Sequence, residues 1–272
     1  MAIHNFIQRY GNATWTGLKM PLQLAWRHRD LLHLLVKRDI VTRTSGTVLG
    51  HLWLLLQPAL QVIGFWFLLD VVLQIKFPNN VPFLDYFLLG ILAWLFISEV
   101  LNRSLNVLRE FGGLYQRTVF PIAILPLMSL LLPSLLYASV LMIMLFIMYD
   151  WTFLPLGLVS IFSLAVWLIP ICYILAIIGL FLKDIAQFFP FAISVTLYVT
   201  PVMYMPQSLP DSMQWLLYVN PAADIMALLH AMIQGLDWQW SNIVRLVVIW
   251  LLLLGPAWVL FRRAEPHIRE SL

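Results

Sequence analysis

Apolar residues in this chain run in long blocks, and charged residues interrupt them mainly at the edges. A helix crosses the hydrocarbon core with about 20 mostly apolar residues, and six blocks meet that length. The first runs about Leu49–Leu73 and the second about Phe83–Leu101. The third lies within Thr118–Tyr149, the fourth within Trp151–Leu182 and the fifth within Ile185–Pro210, all without a charged residue. The sixth is about Asn242–Phe261, with Arg245 near its start. Blocks three and four have length to spare for tilting, and Pro126, Pro133, Pro155 and Pro170 inside them predict kinks. The expected fold is all-α and integral to a membrane. It is one domain over 1–272, with an N-terminal cytoplasmic or interfacial segment (1–47), a six-span bundle (48–262) and a short tail (263–272).

Composition sharpens this picture by exclusion. The 272 residues are 62% apolar and 11% charged, against about 45–50% and about 25% in a soluble domain. Met1–Met20 holds no apolar core of signal-peptide type, so the first span reads as permanent. A single cysteine, Cys172, excludes an intramolecular disulfide and reads as a small buried hydrophobe.

Charge gives the orientation. Arg9, Lys19, Arg27, Arg29, Lys37, Arg38 and Arg43 precede the first span; Arg103, Arg109 and Arg117 follow the second; Lys183 follows the fourth; Arg262, Arg263 and Arg269 follow the last. Only Lys76 and Arg245 fall on the other side. The positive-inside rule then makes both termini cytoplasmic. A net charge of +3 spread over four membrane-flanking segments is a topology signal, and nucleic acid is not an expected partner.

Three connections carry further information. Pro21–Gly46 is basic and moderately apolar and reads as a helix lying at the cytoplasmic interface, although Arg38 breaks its apolar face. Asn102–Pro121 is the longest cytoplasmic connection. Within it, Asn106–Phe111 predicts a short helix stopping at Gly112-Gly113, with Leu105, Leu108 and Phe111 along one edge. That edge suits either a groove on a soluble partner or the chain's own bundle. On the outside, Gln207–Ser241 lacks Lys and Arg. It predicts two short helices, Asp211–Val219 and Pro221–Gln234, the second capped by Asn220 and stopped by Gly235. Re-entrant helices of this kind need protein or a cavity around them.

Chemical motifs are sparse. No lysine follows a glycine, so no Walker A loop exists; HExxH and GxSxG are also missing, and the six histidines are scattered. Spans three to five carry no ionisable Asp, Glu, Lys, Arg or His, which disfavours ion coupling. The first span has one distinctive face: Trp53, Gln57, Gln61 and Phe65 recur every four residues. Amides at that depth face protein or water, because an unpaired amide in lipid is costly. They either bond neighbouring helices or offer hydroxyl-binding groups to a sugar passing aromatic rings.

Five local strings add a resemblance. Arg38-Asp39, Arg43, Ser45, Leu49-Gly50, Trp53 and Gln57-Pro58 resemble the approach to the first span in permeases of type-2 ABC exporters. Val119-Phe120-Pro121 with Ile124-Leu125-Pro126 is similar to that family's Phe-Pro-x-x-x-x-Pro. Lys183-Asp184-Ile185 resembles its basic-Asp pair between spans four and five. Thr200-Pro201-Val202-x-Tyr204 resembles the end of its fifth span, and Asn220-Pro221 the pair before its last. The strings keep the family's order over about 190 residues. One departure is Thr44, where the family often has an aromatic residue after the second arginine. The subgroup with the nearest resemblance exports polysaccharides such as O-antigen, capsule and teichoic acid.

The resemblance implies a non-enzymatic transport subunit in the inner (plasma) membrane. It implies a homodimer joined to two separate ABC ATPase subunits, which would carry the ATP and Mg; no cofactor or metal is expected on this chain. It implies an ATPase-coupling loop with Asn106, Leu108, Arg109, Glu110 and Tyr115. Arg38 and Arg43 would attract the head group of a lipid-pyrophosphate-linked polysaccharide at the lipid surface. Trp53, Gln57, Gln61, Phe65, Trp94, Tyr198 and Tyr204 are the expected lining of the translocation path. The alternatives are the same machine with a drug or lipid cargo, an ion-coupled carrier, and a membrane enzyme. The last lacks a convincing carboxylate cluster among Asp70, Asp85 and Asp150.

Overall fold

The computed structural model describes residues 2–77, 83–115, 121–235 and 239–271. Every regular element among them is helical. Five helical stretches are long and apolar enough to cross a membrane: Leu52–Val72, Phe83–Gly112, Ile122–Met148, Trp151–Phe181 and Trp240–Ser271. They contain helices α3 (Leu52–Trp66, continuing through a π-helical turn at Phe67–Val72), α4 (Phe83–Tyr115), α5 (Leu125–Met148), α6 (Leu154–Phe181) and α10 (Trp240–Ser271).

The block read as the fifth span is shorter than expected. It forms α7 (Lys183–Val199), 17 residues, or about 26 Å of helix against a hydrocarbon core of about 30 Å. The helix ends because Pro201 excludes the helical conformation from the residue before it, and Thr200 is extended at φ −84° and ψ 134°. Beyond it, the helix expected over Asp211–Val219 is a 3-10 turn at Asp211–Met213 and then α8 (Trp215–Val219), while α9 (Pro221–Gln234) has the bounds its caps predict. The Asn220 side chain accepts from the Ala222 amide at 3.0 Å, and Gly235 closes α9 at φ 67°. The stretches Asp211–Val219 and Pro221–Gln234 meet at a 91° bend and would supply a sixth span if taken as one.

The N-terminal segment departs from the single helix expected over Pro21–Gly46. Helix α1 (Ala2–Arg27) begins far earlier and carries Pro21 inside it; α2 (Arg29–Thr44) follows after a break at His28. The reason is tertiary. A Cβ on Gly17 would lie 2.8 Å from the Leu254 carbonyl oxygen, and one on Gly255 would lie 2.9 Å from Thr14 Oγ1. Small residues on both helices let α1 lie directly against α10.

Helix α4 is the hub. It packs against α5, α6, α7 and α9, and Phe87, Leu89, Ile91, Phe96 and Val100 are sealed from solvent. Its tightest crossing is with α6, where a Cβ on Gly179 would sit 1.9 Å from the Leu105 carbonyl oxygen. Several polar contacts inside the bundle run between helices. Ser104 and Ser129 share a 2.8 Å hydrogen bond between α4 and α5, and Tyr173 donates from α6 to the Ala123 carbonyl at 2.6 Å. Trp167 Nε1 donates to the Leu246 carbonyl at 3.2 Å and Trp250 Nε1 to the Val166 carbonyl at 3.0 Å, which ties α6 to α10 in both directions.

Candidate functional site

The end of the bundle nearest α2 holds a cluster of four charges. Asp39 and Arg43 stand one turn apart on α2; Glu99 and Arg103 stand one turn apart on α4. Arg43 Nε donates to Asp39 at 2.9 Å, Arg103 pairs with Asp39, and Arg43 Nη1 lies 3.5 Å from Glu99. The Arg103 and Asp39 side chains are 6% and 9% exposed. Of the two arginines expected to meet a lipid head group, Arg43 is thus held by two carboxylates, while Arg38 is exposed. The sequence carried a signal for the cluster, since opposite charges recur at i and i+4 in both segments. It could not say that the two pairs face each other.

Beyond that cluster, α4 continues without interruption to Tyr115, 33 residues in all. The separate short helix expected over Asn106–Phe111, with its stop at Gly112-Gly113, is absent. Leu105, Leu108 and Phe111 are 1%, 0% and 7% exposed. They fill the chain's own core, and that burial favours extending the helix over ending it. The apolar edge is therefore occupied within the chain, and the Leu108 side chain has no surface to give a partner. Glu110 is exposed, and Asn106 and Arg109 are half-buried. Arg109 Nη2 donates to the Leu180 carbonyl at 3.2 Å, at the C-terminal end of α6 where carbonyls lack helical partners. Asn106 Nδ2 donates to the Asn102 carbonyl one turn back at 3.3 Å. The side chain of Tyr115, along with Arg117 and Val119-Phe120, lies outside the described residues.

The second region is the surface of α3 and α7. Trp53, Gln57 and Gln61 are all exposed on α3, and Tyr198 on α7 is 69% exposed. Phe188, Phe191 and Val195 extend the exposed face of α7. Phe65 is half-buried and meets Phe87 edge-on at 6.5 Å. Two residues of the expected lining stand apart from this face. Trp94 is 5% exposed within the core of α4, because its position on the hub helix faces the bundle. Tyr204 is half-buried, and its hydroxyl donates to the Val199 carbonyl at 2.7 Å.

The opposite end of the bundle is latched. Asn220 Nδ2 donates to Thr200 Oγ1 at 2.8 Å, which joins the Thr200-Pro201 and Asn220-Pro221 strings across 20 residues of chain. Tyr86 donates to the Pro201 carbonyl at 3.2 Å, and its ring stacks on His230 of α9 at 3.7 Å. Arg245 of α10 makes a two-pronged pair with the buried carboxylate of Asp224 on α9 and donates to the Leu217 and Tyr218 carbonyls at 3.3 Å. Sequence reasoning placed Arg245 and α9 correctly but did not pair them. An arginine at the start of an apolar span was itself a signal that a carboxylate must be near. Among the described residues no group of His, Cys, Asp and Glu could hold a metal ion.

Comparison with known proteins gives one family match. The model described as ABC-2 type transporter covers residues 30–234. Two Klebsiella pneumoniae proteins, each named O-antigen export system permease protein RfbA, are similar. One is 24% identical over 271 residues, covering 94% of this chain and all of that protein; the other is 24% identical over 223 residues, covering 77% and 82%. A Myxococcus xanthus protein of the same name is 26% identical over 211 residues, covering 74% of this chain and 79% of that protein.

Proposed function

The chain belongs to the ABC-2 type transporter family, and from that premise we propose that it is the transmembrane subunit of an ATP-driven exporter of lipid-linked polysaccharide. It works as a homodimer with two separate ATPase subunits, in the inner membrane, with both termini cytoplasmic. The similarity along 94% of the chain to a protein named as an O-antigen export permease carries the cargo class. The exposed amides of α3 support the second copy. Gln57 and Gln61 stand in a membrane-spanning helix without a neighbour over them, and two amides facing hydrocarbon are unfavourable. A second copy across α3 and α7 supplies either a partner helix or a water-filled path, and Trp53, Gln57, Gln61 and Tyr198 then line it.

Transport follows from the arrangement of the helices. ATP binding closes the ATPase pair against the cytoplasmic end of α4, around Asn106, Arg109, Glu110 and Tyr115. The push moves the two permease halves about their shared axis. The lipid pyrophosphate enters from the cytoplasmic leaflet beside Arg38, which is exposed. The glycan then slides past aromatic faces and amides whose contacts are weak and repeated, as a long polymer requires.

A strain lacking this chain, fractionated for lipid-linked polysaccharide, tests the cargo. Polymer trapped inside and missing from the surface is the expected result. An unchanged surface glycan would transfer the same machine to a drug or lipid cargo. Native mass spectrometry of the purified complex tests the assembly, with two permeases and two ATPases expected.

A further inference from the structure

We infer that the four charges of Asp39, Arg43, Glu99 and Arg103 form a register lock that makes α2 and α4 move as one body, so that force on α4 reaches the lipid-surface helix. The inference rests on the transport reading above for the source of that force; the lock itself rests on geometry.

The lock is a two-by-two ladder. Along α2 the order is Asp39 then Arg43; along α4 it is Glu99 then Arg103. Asp39 meets Arg103 and Arg43 meets Glu99, so the two helices run in opposite senses with every charge opposite its complement. A slip of one turn sets Arg43 against Arg103 or Asp39 against Glu99. Like charges at contact distance penalise the slipped states as strongly as opposite charges favour the observed one. The Asp39–Arg103 rung is buried on both sides, where water screens it little. The Arg43–Glu99 rung is more open, with both side chains 36% exposed, and serves mainly to forbid the slip.

Helix α2 also rests on α5, but few of its side chains are buried there. Only Leu32, Leu35 and Thr44 of its 16 residues are buried. Leu32 and Leu35 lie toward its start, so in the half from Asp39 onward the ladder and Thr44 supply the buried contacts. Helix α4 is the opposite. It is unbroken from Phe83 to Tyr115, and Arg103 stands twelve residues from its end, or about 18 Å along a stiff rod. A displacement of that end is carried along the unbroken helix to Arg103 and passes through the buried rung to α2. Bistable packed elements joined by a specific contact are the physical basis of such coupling.

The test uses the full permease–ATPase complex in membranes. Asp39→Asn and Arg103→Gln each remove one charge of the buried rung with little change of shape. The expected result is complex at normal level with ATP hydrolysis retained, while export per ATP hydrolysed falls by about tenfold. A four-position exchange (Asp39→Arg, Arg43→Asp, Glu99→Arg, Arg103→Asp) rebuilds the ladder with every sign inverted and restores that ratio to within about threefold. Single variants that export like wild type overturn the lock. So does an inverted ladder that restores the protein level but not the export ratio, because a contact needed only for folding would behave that way. A wild-type complex that hydrolyses ATP but moves no polysaccharide would instead remove the cargo reading. The lock is then read without cargo: Asp39→Asn and Arg103→Gln should abolish the ATP-dependent change in backbone hydrogen exchange of α2, and an unchanged response overturns it.

Discussion

Helices α3 and α4 are equally apolar by mean hydropathy, yet 11% of the residues in one apolar window and 67% in the other are buried inside the chain. Hydropathy fixes that both segments leave water. It does not fix what each one touches, because lipid tails and leucines are nearly equivalent neighbours. What separates them is close approach and polar contact. A Cβ on Gly90 of α4 would meet Val202 at 3.4 Å, Ser104 bonds Ser129, and the Leu105 backbone presses on Gly179. A Cβ on Gly64 of α3 would meet nothing within 4 Å, and the α3 glutamines point away from the chain. The hub packs within one chain, whereas α3 leaves most of its surface uncovered by it.

The largest effect is expected where α4 meets α6. Gly179→Val places side-chain atoms inside the Leu105 backbone and should destabilise the fold by about 3 kcal/mol or more, beyond ordinary overpacking. Little or no folded protein should survive detergent extraction. Normal yield would mean that the crossing relaxes and α4 is not the fixed element of the bundle. Next comes the latch on α9. Asp224→Ala leaves Arg245 without its carboxylate and should cost about 3 kcal/mol. A thermal melt unchanged from wild type would show that α9 needs no such tether. Ser104→Ala removes one buried hydrogen bond between α4 and α5, worth about 1 kcal/mol, and a small drop in melting midpoint would register it. The smallest change in stability belongs to α3. Gln57→Leu with Gln61→Leu should alter the melt of the solubilised single chain by less than about 0.5 kcal/mol, as at exposed sites. The same pair should reduce dimer recovery or export. A large loss of monomer stability would erase the contrast between the two helices.

The membrane class and most helices were legible because each rests on a local rule. Pro221 after Asn220, with Gly235 beyond, marks α9 to the residue. Where the reading failed, a distant contact had overruled the local signal. Gly112-Gly113 is a stop by propensity, but Leu105, Leu108 and Phe111 bury their side chains only if the helix goes on. Residues 2–20 have no strong apolar run, and α1 exists there against α10 through Gly17 and Gly255. Thr200 and Pro201 truncate α7, a boundary present in the sequence that the uncharged stretch to Pro210 obscured. The charged residues divide in the same way. Arg38 and Arg43 look alike as basic residues near a membrane, and only the fold shows that Asp39 and Glu99 claim the second.

The sequence by itself determined that this is a helical membrane protein, where its apolar segments lie, how α9 is capped, and which transporter family its strings resemble. Those features depend on residues within a few turns of each other, or on the transfer of a whole segment out of water. Only the tertiary structure decided that α4 is the hub and α3 is left uncovered, that the Thr200 and Asn220 strings form one latch, and that Asp39 faces Arg103. Charge pairing and close packing act over a few ångströms between residues that can be 64 positions apart. Hydropathy carries no record of such proximity, since any apolar surface satisfies it equally well.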